Sequence, residues 1–249
     1  MNENIVGLIP AAGRGIRLGL PYPKELYPII RDNKYKPISQ YIVETFINAG
    51  IQHIVFVIND RKHQLIGYFG DGSRFGCNFS YVVQEYQNEN ISSKSPGLAH
   101  ALNSANHLIK DQYVCFGMPD TIVKPATAIK ELLNHLDTNP DLLLGLFPIK
   151  RPEKSAAVVT DSDQNVIKII DKPKFTDIRF GWACMVWNPT FTNHLSHCVS
   201  EQNIRDFAEI MNQGIKRGFK VKGVPIKNGD YTDLGTYDDI IELEKDYRA

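Results

Sequence analysis

Continuous apolar runs and stretches of helical spacing succeed one another along the first half of this chain. Asn4 to Ile9 is a short apolar run stopped by Pro10 and a small, glycine-bearing segment, the pattern of a buried strand entering a loop. Ile38, Tyr41, Ile42, Thr45, Phe46 and Ala49 then recur at helical spacing, and Gly50 stands where a left-handed cap is expected. The pattern continues with a strand over His53 to Ile58, a helix over Arg61 to Phe69 and a strand over Asn78 to Gln84. A helix marked by Leu98, Ala101, Leu102, Ala105, Leu108 and Ile109 precedes a strand over Gln112 to Met118 that leads into Pro119 and Asp120. Such alternation predicts an α/β protein whose parallel sheet carries helices on both faces.

After a helix over Ala126 to Leu136 the pattern turns to strands: Leu142 to Pro148, Ala156 to Thr160, Val166 to Ile170 and Gly181 to Trp187. Two helices, about Pro189 to His197 and Ile204 to Arg217, a strand over Phe219 to Pro225 and a terminal helix from Thr236 close the chain. Thr236 and Asp239 have the spacing of a variant capping box. Gln87 to Pro96 is a polar loop suited to moving over a site. With no repeats and no low-complexity linker, the 249 residues are expected to form one domain.

Composition narrows the class. Hydrophobic residues make up 43% and charged residues 22%, as in folded globular proteins. The 28 Lys and Arg balance 28 Asp and Glu, so no overall field exists to hold nucleic acid or an anionic membrane, and phosphate binding must be local. Met1 to Ile9 is too short and polar for a signal peptide, and no apolar run approaches the roughly 20 residues that span a bilayer. A soluble, cytoplasmic protein is expected. Cys77, Cys115, Cys184 and Cys198 lack Cys-x-x-Cys spacing and read as reduced core thiols. His194, His197 and Cys198 could face one another on a helix, but no fourth zinc ligand is suggested.

Ligands of open α/β sheets sit beyond the carboxyl ends of the strands, which directs attention to Ala11-Ala12-Gly13-Arg14-Gly15-Ile16-Arg17. Its two glycines and two alanines let backbone N–H groups approach a phosphate chain, and arginine adds a forked set of donors. A dinucleotide fingerprint would need a small residue where Leu18 stands, and a Walker loop would need Gly-Lys-Ser/Thr, which is missing.

Gly13-x-Gly15-x-Arg17 followed by Pro23-Lys24 resembles the signature of the sugar-phosphate nucleotidylyltransferases, the glucose-1-phosphate uridylyl- and thymidylyltransferases, which are related to the methylerythritol phosphate cytidylyltransferases. Further matches follow in family order. Gln84 is similar to the family's base-binding glutamine, Gly97-Leu98-Ala99-His100-Ala101 to its Gly-Leu-Gly-His-Ala type turn, and Asp120 to its magnesium-binding aspartate. Asp171-Lys172-Pro173 resembles Glu-Lys-Pro, Gly181-Trp182 the acceptor-side glycine segment, and Asp233-Leu234-Gly235-Thr236 the C-terminal Asp-x-Gly-Thr with the second metal ligand. There are departures: the stretch between Arg17 and Lys24 is short, Ile16 replaces threonine, and Ala156-Ala157 stands where a Tyr-Gly pair often touches the sugar.

The resemblance implies a Rossmann-like, three-layer α/β/α nucleotidyltransferase fold with a mixed, mostly parallel sheet. Residues 1–125 would mainly bind the NTP and 126–249 mainly the acceptor. It implies an enzyme that moves a nucleoside monophosphate from an NTP to a sugar 1-phosphate, releasing pyrophosphate. Arg17 and Lys24 would clamp the triphosphate, Asp120 and Asp233 would hold Mg²⁺, and Lys172 would hold the acceptor phosphate. Gln84 can pair with the polar edge of a pyrimidine, which favours UTP or dTTP, and Gly97 would let the base lie close to the backbone. A cytidylyltransferase acting on a polyol phosphate and an inactive nucleotide-binding regulatory module are the alternatives. The acceptor and homo-oligomerisation stay open.

Overall fold

The computed structural model describes residues 4–15, 18–31, 34–85 and 97–248. Strand β1 (Ile5–Pro10) leads through the glycine-bearing loop and a 3-10 turn at Lys24–Leu26 to an antiparallel pair, β2 (Pro28–Arg31) and β3 (Lys34–Pro37). Helix α1 (Ile38–Asn48), β4 (His53–Ile58), α2 (His63–Phe69) and β5 (Asn78–Val83) follow. Next come α3 (Leu98–Ser104), α4 (Asn106–Ile109), β6 (Tyr113–Gly117), β7 (Thr121–Lys124) and α5 (Ala128–Leu133). The second half holds β8 (Leu142–Pro148), β9 (Ala156–Thr160), β10 (Val166–Asp171), β11 (Phe180–Trp187), α6 (Pro189–Ser200) and α7 (Phe207–Lys216). It ends with β12 (Val221–Pro225), β13 (Asp230–Asp233) and α8 (Tyr237–Arg248).

The helix expected over 98–109 is in fact two, which part at Ala105, where the N–H bonds the Leu102 carbonyl at 3.2 Å in a 3-10 pattern. The pairs β2–β3 and β7–β13 were not marked by the sequence pattern. Each strand has only four residues, too few for a period to show. The polar loop expected over Gln87 to Pro96 lies outside the described residues.

The main sheet follows the order β10-β9-β11-β6-β1-β4-β5, with β8 beside β11 and β12 beside β8. β6, β1, β4 and β5 run parallel, so their carboxyl ends share one edge. β11 runs antiparallel to β6 and brings its own start, Phe180 to Trp182, to that same edge. The sheet is therefore mixed, as the resemblance implied.

Successive side chains of a strand point to opposite faces, and the two cores divide on that period. Val6, Leu8, Val55, Val57, Val114 and Phe116 pack against α3, α6 and α7, while Ile9, Ile54, Phe56, Ile58 and Cys115 pack against α1, α2 and α5. Gly7 and Gly117 bring α1 close to the sheet: a Cβ on Gly7 would stand 2.6 Å from the Phe46 ring, and one on Gly117 would stand 2.3 Å from Ile42 Cδ1. A third, smaller core of Leu18, Ile29, Ile38, Ile122, Leu234 and Ile240 fastens the first loop to β7 and α8.

All four cysteines are buried free thiols. His194 bonds the Ile210 carbonyl at 3.0 Å, whereas His197 lies 3.1 Å from Glu201, so these histidines serve packing and helix-surface roles. Among the described residues no helix is long and apolar enough to cross a membrane.

Helix α8 begins with the anticipated capping box. Asp239 Oδ2 accepts from the Gly235 and Thr236 N–H groups and the Thr236 hydroxyl, and Oδ1 accepts from Arg151 and Lys154 at 2.7 Å each. Burial alone would raise this carboxyl, but the bonds from Lys154, Thr236, Gly235 and Arg151 outweigh it and hold Asp239 at about 2. A depressed folded value contributes stability above the ordinary carboxylate value, and that stability is lost as pH falls towards 2. Asp239→Asn should therefore lower the unfolding free energy by about 2 kcal/mol at pH 7, with the gap from wild type narrowing to roughly half by pH 3. Urea denaturation at the two pH values measures it, and a gap independent of pH would refute the assignment.

Candidate active site

Four connections leave the shared sheet edge and build the site. After β1, the loop runs over the strand ends. Ala11 gives its N–H to the Val57 carbonyl at 2.6 Å and so remains part of the sheet, while Pro10, Ala12 and Gly13 line a cleft. Asn59, just after β4, donates to the Ala12 carbonyl at 2.8 Å and holds the loop down. Gln84 follows β5, and Gly97 precedes α3. Gly97 has φ +92°, and a Cβ there would stand 2.9 Å from the Arg205 carbonyl, so glycine is required on both counts. Ala12, Gly13, Gln84 and Gly97 line this cleft, of about 180 Å³, together with Lys24 and Asp120.

The fourth connection follows β6. Lys24, from the 3-10 turn after the loop, forms an ion pair with Asp120, with side-chain exposures of 14% and 13%. Directly behind, Glu25 pairs with Lys62, at 1% and 4% exposure. Burial raises the Glu25 carboxyl and lowers the Lys62 ammonium, each only partly offset by the partner's charge. Glu25, Lys62 and Asn59 were given no role from the sequence. A carboxylate beside Lys24 and a lysine in the polar run Asn59 to His63 read as surface residues until the fold superposes them.

Asp233 is brought to Asp120 by backbone pairing. It lies opposite Thr121 in the β13–β7 ribbon, Leu234 N–H donates to the Asp120 carbonyl at 2.8 Å, and the Thr121 hydroxyl donates to Asp233. Burial, then the nearby Asp120 and Asp239, push the Asp233 carboxyl up to about 6, against the Thr121 bond and Lys24. Two crowded carboxylates, one of them costly to ionise, form a donor set that fits a hard divalent cation.

Beyond Asp120 a second cleft opens, of about 370 Å³. Its far wall is made by β10, β9 and β11, where Asp171 lies opposite Ala156 and Gly181 opposite Ala157. Asp171, Lys172 and Trp182 line this cleft with Asp120 and Asp233. Lys172 adopts φ +44°, its N–H bonds the Ser155 carbonyl at 3.0 Å, and its ammonium is exposed, 3.8 Å from Asp171. Trp182 packs edge-on against Phe116 at 5.9 Å, and its buried Nε1 has no hydrogen-bond partner among the described residues. Gly181 is buried behind this wall, where a Cβ would stand 2.7 Å from the Ala156 carbonyl, so its glycine has a packing reason.

The fold thus gathers Lys24, Asp120, Gln84, Gly97, Asp171, Lys172, Trp182 and Asp233 around two clefts that share Leu98, Met118 and Asp120. Arg14 and Gly15 line a separate pocket on the other side of the loop. Arg17 lies outside the described residues.

A parallel-edged α/β sheet with paired carboxylates and a lysine at the meeting of two clefts defines a class, and comparison with known proteins names it. The nucleotidyl transferase family matches residues 6–249, and the chain belongs to that family. UTP–glucose-1-phosphate uridylyltransferase 1 of Staphylococcus saprophyticus is 28% identical over 196 residues, covering 68% of this chain and 64% of its own length. The low-salt glycan biosynthesis nucleotidyltransferase Agl11 of Haloferax volcanii is 27% identical over 247 residues, covering 96% of this chain and 65% of its own. The chain therefore spans less than two thirds of the length of these relatives. A solved UDP-glucose pyrophosphorylase in complex with UDP-glucose superposes with a TM-score of 0.80 over 98% of each chain, at 21% identity, a likeness of fold.

Because Asp233 keeps its proton up to about pH 6 in the folded state, against an ordinary value of 3.8, ionising it at higher pH costs stability; below 3.8 no penalty remains. In metal-free buffer Asp233→Asn should gain about 2 kcal/mol over wild type at pH 8 and well under 1 kcal/mol at pH 4. Denaturant midpoints decide it, and an Asp233→Asn protein no more stable than wild type at pH 8 would sink the claim.

Proposed function

We propose that this chain transfers a nucleoside monophosphate from a pyrimidine NTP, UTP or dTTP, to a sugar 1-phosphate, forming an NDP-sugar and releasing pyrophosphate. The observation that carries the reading is the Lys24–Asp120 pair, with Asp233 beside it, where the cleft of Gln84 and Gly97 meets the cleft of Asp171, Lys172 and Trp182. The activities named for the relatives agree with it. In this reading residues 1–125 mainly serve the NTP and residues 126–249 the acceptor.

An acceptor phosphate oxygen attacks the α-phosphorus, a new P–O bond forms, and the bond to the β-phosphate oxygen breaks, its electron pair leaving with pyrophosphate. A phosphate monoester is already anionic near neutral pH, so no general base is needed, and the task is to bring anions together and neutralise charge. Mg²⁺ held by Asp120 and Asp233 would supply that neutralisation at the α-phosphate. Asp120 and Asp233 would be the ligands of that cation, and Lys24, the partner of Asp120, would turn its ammonium to the triphosphate with Arg17. Lys172 holds the acceptor phosphate; it follows the last residue of β10 and lines the second cleft. The Gln84 amide and the backbone near Gly97 read a pyrimidine edge. The indole of Trp182 flanks the acceptor. The enzyme would work in the cytoplasm.

Pyrophosphate release measured with each NTP, Mg²⁺ and a panel of sugar and polyol phosphates tests the whole reading. A CTP and polyol phosphate pairing would replace the acceptor, and no turnover with any pair would leave a nucleotide-binding module. Lys24→Ala should lower kcat on the order of 10²-fold or more while weakening NTP binding far less, since the ammonium acts on charge that develops in the transition state. Lost NTP affinity with unchanged kcat would reduce Lys24 to a docking charge. Lys172→Ala should raise the acceptor KM and leave calorimetric NTP affinity unaltered.

A further inference from the structure

Among the described residues Lys62 is the only buried lysine or arginine and Glu25 the only buried glutamate, and the fold pairs one with the other. Stability does not explain the pair. Apolar side chains of similar volume in place of a buried ion pair are often neutral or stabilising, and here one carboxylate oxygen has no hydrogen-bond partner among the described residues. The reaction proposed above gives neither residue a task. What the pair does contribute is a fixed point, one residue from Lys24.

The connection after β4 holds the first loop at both ends. Asn59, itself buried, donates from Nδ2 to the Ala12 carbonyl at 2.8 Å, and its Oδ1 accepts from the Arg61 N–H at 3.0 Å, opening a 3-10 turn over Asp60–Lys62. At the end of that turn Lys62 reaches Glu25. The chain between Ala12 and Glu25, which carries Lys24 as its last residue, is thus tied at each end to the short run 59–62. Helix α1 holds the same region by its backbone: the Ser39 hydroxyl donates to the Glu25 carbonyl at 2.6 Å and the Ile38 N–H to the Tyr27 carbonyl at 3.0 Å. A 3-10 turn as short as Lys24–Leu26 has little rigidity of its own, and lysine is a point charge on a flexible four-carbon stem. Where the Lys24 ammonium comes to rest therefore depends on how firmly its backbone is held.

We propose that the buried Glu25–Lys62 pair is a strut that sets Lys24 against Asp120, which makes Glu25 and Lys62 positioning residues acting through Lys24. The inference rests on the nucleotidyl-transfer reading for what Lys24 does, but the strut belongs to the fold and can be measured without turnover. Removing both charges should leave the core intact and let the turn, with Lys24, take up other positions.

Acetylation of the full chain by an amine-reactive ester, read lysine by lysine with mass spectrometry, tests it. In the wild type Lys24 should react slowly beside the exposed Lys150 and Lys172, which serve as internal references. The double variant Glu25→Leu/Lys62→Met should match or exceed the wild-type denaturation midpoint, yet acetylate Lys24 several-fold faster with the reference rates unchanged. Lys62→Arg, which keeps a cation facing Glu25, should fall between the two. In turnover the double variant should lose roughly tenfold in kcat with both KM values within about twofold, and cost nothing further once Lys24 is already alanine. Unchanged Lys24 acetylation in the folded double variant overturns the proposal. So does a double variant that fails to fold, which assigns the pair to stability, and so does an equal kcat loss in the Lys24→Ala background, which places the pair on the substrate. The two readings fail separately. Strut-dependent Lys24 acetylation without turnover on any acceptor refutes the transferase reading and keeps the strut, whereas turnover with strut-independent acetylation does the reverse.

Discussion

Four charges of alternating sign, Lys62, Glu25, Lys24 and Asp120, join the connection after β4, the turn after the first loop and the end of β6. The inner pair is almost wholly removed from water, and one Glu25 oxygen has no hydrogen-bond partner among the described residues. Such a pair contributes little net stability, since desolvation offsets its attraction, yet removing one partner strands a buried charge at a cost of about 3–5 kcal/mol. The arrangement fixes position more than it adds stability. It sets Lys24 at the height of Asp120, and the clefts on either side are organised by that point.

The second constraint is the direction of β11. A wholly parallel sheet would place loops at the common edge; here β11 runs the other way and begins there, and β9 and β10 pair beside it. Asp171, Ala156 and Trp182 thus line the second cleft from neighbouring strands rather than from loops. In the proposed reaction such a rigid wall would suit an acceptor whose phosphate must be placed within a fraction of an ångström of its target.

Stability and chemistry oppose each other at the C-terminal motif. Asp239 is held ionised by cationic and N–H donors, and it anchors α8 to the turn before β9. Asp233, a few residues earlier, is pressed towards its neutral form by burial and by its acidic neighbours. The first fixes the turn that follows the second, and its charge adds to the cost of ionising Asp233. Carboxyls with values driven apart in this way are a recurrent mark of functional sites.

Much of this was written in local sequence. The strands β1, β4, β5 and β6 and helix α1 follow from apolar period and from stops at Pro10 and Gly50, because burial on a sheet face or helix stripe imposes its spacing on the chain. The first loop and Asp120 could be picked out where apolar strands end, whereas Lys172 and the Asp233 motif came only from the family resemblance. Tertiary structure alone decided what has no local period. The four-residue strands β7 and β13 are separated by more than a hundred positions, and only their pairing puts Asp233 beside Asp120. Nothing local marks Glu25 and Lys62 as buried, since a charged residue is an ordinary surface choice until the fold supplies its opposite. The sequence determined which side chains are present at the strand ends; the order and direction of the strands determined which of them meet, because contact between distant segments depends on chain crossing and register, neither of which any single segment encodes.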